Sequence, residues 1–135
     1  MTAIVCVDEQ GGILFNRRRV SSDRAVISDI LKMTEAHSLR IREYSVNLFP
    51  ENAAVYVADD YLRGAGKGDF LFFEDIVSEI FWEKLERIVV YHWNRLYPSD
   101  VKFPLDDLRE RGELESSVTF EGYSHSRITR EVYAL

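Results

Sequence analysis

Residues Ile88 to Trp93 read Ile-Val-Val-Tyr-His-Trp, a β-branched and aromatic run with the look of a buried strand. It leads into a polar loop that closes on Asp100-Val-Lys-Phe103-Pro104. Comparable runs occur at Ala3–Val7, Ala54–Ala58 and Phe70–Phe73. Each is far shorter than the stretch of about 20 apolar residues that a membrane-spanning helix needs. The chain is therefore expected to bury several short strands within a protein core, with no membrane segment.

Between these runs the pattern turns helical. Val26, Ile27, Ile30, Leu31 and Met33 or Thr34 recur at helical spacing. Ser21 or Ser22 is the expected cap, Asp23 falls in the first turn, and the helix should end near Ala36 or His37. Leu39–Ile41 suits a short strand, and Tyr44, Ser45, Leu48 and Phe49 share a helical face that Pro50 stops. A short helix is expected between Ile76 and Leu85. Leu114–Glu121 and Ile128–Tyr133 alternate like an antiparallel pair around the turn Gly122-Tyr-Ser-His-Ser126. Strands interleaved with helices and followed by a hairpin predict an α/β fold, a mixed sheet flanked by helices, in one domain over residues 1–135.

Composition narrows the partners. Hydrophobic residues make up 46%, enough for a packed core and opposite to the balance that leaves a chain disordered. With 17 basic and 23 acidic side chains, the net charge of −6 disfavours nucleic acid and anionic membranes. The lone Cys6 lies in the apolar run Ala3–Val7 and is read as a small core residue. No signal-peptide pattern is present, so a cytoplasmic location is expected.

The order of landmarks resembles the dihydrofolate reductase family over most of the chain. Ala3-Ile-Val-Cys-Val-Asp8 is similar to its opening strand, and Gly11-Gly12-Ile13 to the start of its mobile loop. Tyr91-His92-Trp93, Asp100-x-x-Phe103-Pro104 and Ser124-His125-Ser126 match later landmarks. The resemblance implies a three-layer fold with a mostly parallel central sheet, flanking helices and an antiparallel C-terminal hairpin. It also implies that Asp23 binds and protonates a pterin, and that Cys6, Arg18, Arg19, Ile27, Phe49 and Tyr91 line the ligand site.

A nicotinamide cofactor brings a pyrophosphate, which needs close backbone approach or cations. The family meets that need with glycines after a central strand and a Gly-Arg-x-Thr/Ser turn. This short chain reads Phe73-Glu74-Asp75 at the first place and Arg42-Glu43-Tyr44-Ser45 at the second, so only Ser45 and a displaced arginine survive. The family positions Ser45, Phe73, Glu74 and Asp75 are thus expected not to hold NADPH.

Other signals have plainer readings. Arg17-Arg18-Arg19 is either a solvated loop or an anion site. Glu74-Asp75, with Asp69 or Asp59-Asp60, lacks the geometry a metal site requires, and Asp75 suits a helix cap, so no metal is expected. Gly64-Ala-Gly66-Lys-Gly68 lacks the hydroxyl residue of a phosphate loop and reads as a turn. His37, His92 and His125 form no zinc motif, and no Gly-x-Ser-x-Gly elbow marks a serine nucleophile.

Three functions follow as expectations. The first is a dihydrofolate reductase-like domain without NADPH-dependent activity that binds an unidentified small ligand or a protein. The second is an NADPH-dependent reductase of dihydrofolate or a related heterocycle, with Asp23 as proton donor. The third is an interaction or assembly protein using the acidic, aromatic-rich face around Phe73–Trp82.

Overall fold

The computed structural model describes residues 1–60, 62–75 and 82–135. Its two central strands are β1 (Thr2–Val7) and β7 (Arg87–His92), which run parallel with Thr2 opposite Arg87 and Val7 opposite His92. Ala3, Val5, Val7, Ile88 and Val90 join one apolar core. Ile4, Val89 and Tyr91 join the other, on the opposite face. A strand buried on both faces has no solvent side to make polar, so its sequence is a continuous apolar run.

On one side of β1 lie β6 (Phe70–Phe72), β4 (Leu39–Ile41) and the edge strand β5 (Val55–Val57), all parallel. Beyond β7, β10 (Ile128–Ala134) inserts antiparallel and pairs with the outer strand β9 (Glu113–Phe120). The sheet order is β5-β4-β6-β1-β7-β10-β9, a mostly parallel sheet carrying an antiparallel C-terminal hairpin. The helix α1 (Arg24–Met33) supplies Val26, Ile27 and Ile30 to one core. The helix α2 (Leu105–Arg111) supplies Leu108 to the other. Asp106 and Asp107 open α2 and Arg109 and Arg111 close it, matching the helix dipole at both ends. Among the described residues no helix is long and apolar enough to cross a membrane.

Local departures from expectation have identifiable causes. Asp23, not a serine, caps α1: its backbone is extended and its side chain accepts from the Ala25 N–H. The helix stops at Met33 with Thr34 as its C-cap, whose N–H and Oγ1 both donate to the Ile30 carbonyl, at 3.0 and 2.9 Å. Residues Tyr44 to Leu48 are helical, but in a tighter 3₁₀ segment, Glu43–Leu48. The basic run Asn16–Arg19 is ordered. Leu14 and Phe15 in β2 (Gly12–Phe15) pair with Arg19 and Arg18 in β3 (Arg18–Arg19). Asn16 and Arg17 form the two-residue turn with φ of 52° and 65°, the geometry that suits a tight hairpin. The strand β8 (Val101–Lys102) pairs on the other side of β2 to complete a small second sheet. Gly64–Gly68 is a turn, with φ of 75° and 88° at its two ends. A 3₁₀ turn covers Trp82–Lys84, and the remainder of the helix expected from Ile76 lies outside the described residues.

Candidate functional site

The start of α1, the end of β1 and the residues after β6 and β7 converge on a small, partly open cavity of about 10 Å³. Asp23, Ser21, Cys6, Ile27, Glu74 and Trp93 contribute to its walls. Such a volume admits about one water molecule.

Asp23 is 4% exposed and is saturated with donors. Its Oδ1 accepts from the N–H of Ala25 at 2.8 Å and of Tyr123 at 2.9 Å. Its Oδ2 accepts from the Ser124 N–H at 2.8 Å, from Ser124 Oγ at 3.2 Å and from His125 Nδ1 at 2.8 Å. Burial alone pushes the carboxyl up. The hydrogen bonds from His125, Tyr123, Ser124 and Ala25 outweigh it and hold the group well below the usual carboxylate range. Three of those donors come from the turn of the β9–β10 hairpin, about a hundred residues along the chain. Gly122 permits this approach, since a Cβ there would lie 2.8 Å from Asp23 Oδ2 and 2.6 Å from the His125 carbonyl oxygen.

The acceptor-only carboxylate places a proton on His125 Nδ1. The other nitrogen, Nε2, sits 2.9 Å from Ser21 Oγ and 2.9 Å from the Tyr97 hydroxyl. Those two hydroxyls are 3.3 Å apart. The ring is 4% exposed and stacks on Trp93, with centroids 4.7 Å apart and planes at 21°. Tyr97 is positioned by Asp8, a buried carboxylate that accepts from the Tyr97 N–H at 3.1 Å and from the Gly12 N–H at 2.7 Å. Three distant segments thus build one chain of hydrogen bonds, Asp23 to His125 to Ser21 and Tyr97.

A second polar cluster lies across the cavity. Glu74, 9% exposed, receives Arg19 Nε on Oε2 at 2.7 Å and Arg19 Nη2 on Oε1 at 3.0 Å. Ser45 Oγ donates to the same Oε1 at 2.8 Å. Arg19 also donates to the Tyr44 carbonyl and lies over the Tyr44 ring, 4.7 Å from its centroid. Burial lowers the Arg19 pKa, but the hydrogen bond and charge of Glu74 outweigh it and raise it. Asp75 takes Arg42 Nε at 3.3 Å.

The remaining sequence candidates divide by place. Cys6 and Ile27 line the cavity with Asp23. Cys6 packs against the second core, as a small apolar residue is expected to, and also lines the cavity wall. Burial first, then the charge of Glu74, push its thiol well above the ordinary range. Phe49 packs edge-on against Phe72, at 5.6 Å. Tyr91 turns its hydroxyl to Asp29 Oδ2 at 2.7 Å, and Arg130 Nη1 meets the same oxygen at 2.7 Å. Burial and then Asp29 raise the Tyr91 phenol. Arg18 is exposed on β3, while its neighbour Arg19 turns inward to Glu74. Phe73 joins the core and contacts the Phe103 ring at 6.1 Å. His92 bonds Glu131 across the sheet, as a structural histidine does. Among the described residues no cluster of potential ligands fits a metal ion.

Sequence reasoning missed Ser21, Tyr97 and His125 as members of one site. Ser21 reads as a cap and His125 as part of a turn, and no spacing links residues 21, 97 and 125.

The fold is that of the dihydrofolate reductases. Among solved structures, the chain is similar to dihydrofolate reductase from Enterococcus faecalis complexed with NADP(H) and RAB-propyl, with a TM-score of 0.72. The superposition covers 99% of this chain and 95% of that one at 16% identity, a likeness of fold. No family model matches the chain, and no curated protein matches it.

Proposed function

We propose that this chain is a diverged dihydrofolate reductase-like domain that no longer carries out NADPH-dependent reduction and works by binding a protein partner. The observation that carries this reading is the state of Asp23. A proton donor to a pterin needs a carboxyl that holds a proton near neutral pH and a face open to the ring. Asp23 is held ionised, and its oxygens are occupied by groups of the protein itself.

Two further features support it. A drug-sized ligand occupies a pocket of about 300 Å³ or more, and the cavity beside Asp23 is about 10 Å³. After β6, where the family resemblance calls for phosphate-binding glycines, the Glu74 carboxylate instead holds Arg19 and Ser45. A phosphate brought there meets a like charge, and the nearby cation is already neutralised.

For a protein partner the sheet offers an exposed strand edge. All but the last residue of β9 are exposed, including Leu114 and Val118, and the strand has neither proline nor lysine to blunt its edge. Such an edge accepts an added strand from a partner.

Calorimetric titration with NADPH and with dihydrofolate tests the loss of reductase function: neither should bind saturably at micromolar concentration, and saturable micromolar binding of NADPH refutes it. For the binding half, Val118→Lys should abolish partner capture with an unchanged circular dichroism spectrum. A partner retained by that variant rules out the β9 edge.

A further inference from the structure

We propose that Ser21, His125 and Asp23 form a nucleophile–base–carboxylate relay that acylates Ser21 from short-chain carboxylic esters and hydrolyses the product. This activity goes beyond the binding role. It rests on the geometry of three residues that the fold brings together from two segments, Ser21 and Asp23 before α1 and His125 in the hairpin turn. Asp23 Oδ2 is 2.8 Å from His125 Nδ1, and His125 Nε2 is 2.9 Å from Ser21 Oγ. Both distances lie within the hydrogen-bond reach that general-base activation of a hydroxyl requires. The imidazole is held from both sides, by the Asp23 carboxylate at one edge and the Trp93 ring on one face. His125 and Asp23 are buried while Ser21 is only partly so, which puts the nucleophile at the boundary with solvent.

The chemistry balances without a cofactor. As Ser21 Oγ bonds to the ester carbonyl carbon, its proton passes to His125 Nε2 and the carbonyl π pair moves to oxygen. Collapse of the tetrahedral species breaks the bond to the alkoxy oxygen, which leaves with the proton from Nε2. Water then repeats the sequence on the acyl-serine, giving a carboxylic acid and free Ser21. Asp23 stays ionised and orients the ring as a positioning residue. The Tyr97 hydroxyl lies 2.9 Å from His125 Nε2 and accepts from Ser21 Oγ at 3.3 Å, so it helps to hold Ser21 beside the ring in the resting state.

Substrate size follows from the cavity. Its walls beside Ser21 include Val26, Ile27, Leu48 and Phe72, apolar groups around a gap of about 10 Å³. A gap that small leaves no room for an acyl chain longer than acetyl, and the partly exposed Ser21 leaves the alcohol portion in solvent. Acetyl esters with a good leaving group are the substrate class.

The test uses the full chain with p-nitrophenyl acetate, read by p-nitrophenol release, and an alkyl fluorophosphonate, read by peptide mass mapping. The wild type should release p-nitrophenol catalytically and carry the phosphonate on Ser21. Ser21→Ala should lose both, and Ser22→Ala should lose neither. His125→Ala should slow acylation by about 100-fold or more, the usual contribution of a general base. Circular dichroism of each variant separates lost chemistry from lost folding. For Asp23, the readout is pH: in the folded fraction of Asp23→Asn the rising limb of the acylation rate should move, whereas a purely structural role leaves its midpoint unchanged. Release by wild type no faster than by Ser21→Ala, or phosphonate on another residue, overturns the proposal.

Discussion

Replacing Asp23 by asparagine removes a charge and one acceptor while leaving the size of the side chain almost unchanged. The carboxylate now receives the Ala25 and Tyr123 N–H groups on one oxygen and Ser124 and His125 on the other. An asparagine offers one oxygen and one NH₂, so in either orientation the NH₂ faces two N–H donors. Each buried donor left without an acceptor costs about 1–3 kcal/mol, so Asp23→Asn should destabilise the protein by roughly 2–6 kcal/mol. Against a typical total of about 5–15 kcal/mol, that brings the variant close to unfolding. Urea denaturation followed by circular dichroism measures it, as a lower midpoint at unchanged slope.

The same bonds set a pH dependence. The folded pKa of Asp23 lies below its ordinary value of 3.8. Its contribution is therefore complete above about pH 4 to 5 and is lost as pH falls from there towards the folded pKa, at up to about 1.4 kcal/mol per pH unit. Asparagine cannot titrate, so the stability gap between wild type and variant should narrow steadily below pH 4. A loss under about 1 kcal/mol at pH 7, or a gap that stays constant down to pH 2.5, refutes the reasoning that these hydrogen bonds hold the site.

Three other outcomes are expected. Glu74→Met should cost about 2–4 kcal/mol by stranding Arg19, which is 23% exposed, and adding Arg19→Met should recover most of that loss, since an apolar pair replaces a half-buried ion pair at little net cost. A double-mutant cycle in urea reads the coupling. Gly122→Ala should lower stability by about 1–3 kcal/mol, because its Cβ would press on Asp23 Oδ2, the His125 carbonyl and Ile128, with thermal melting as the check. Tyr91→Phe should cost only about 1–2 kcal/mol, as Asp29 keeps its bond to Arg130, and hydrogen exchange should show α1 loosened but still folded.

The amino-acid sequence determined most of the strands and the C-terminal hairpin, and the order of the sheet came from the structure. Runs such as Ala3–Val7 and Ile88–Trp93 are legible because a strand buried on both faces must be apolar throughout, and that property is local. The alternation at Leu114–Glu121 and Ile128–Tyr133 marked the C-terminal hairpin, although β9 is exposed on both faces for all but its last residue. Arg17 and Arg18 stay exposed, as a solvated charge run does, but charge pattern carries no sign of the turn at Asn16-Arg17 that sends Arg19 inward to Glu74. The site itself was decided by tertiary structure alone. Asp23 is a helix-start acid in the sequence; only the hairpin turn at Gly122–His125 supplies the donors that fix its charge. Ser21, Tyr97 and His125 meet because the sheet order places β10 beside β7 and the loop after β7 beside the start of α1. Hydrogen bonds between residues so far apart leave no periodicity for a sequence to show.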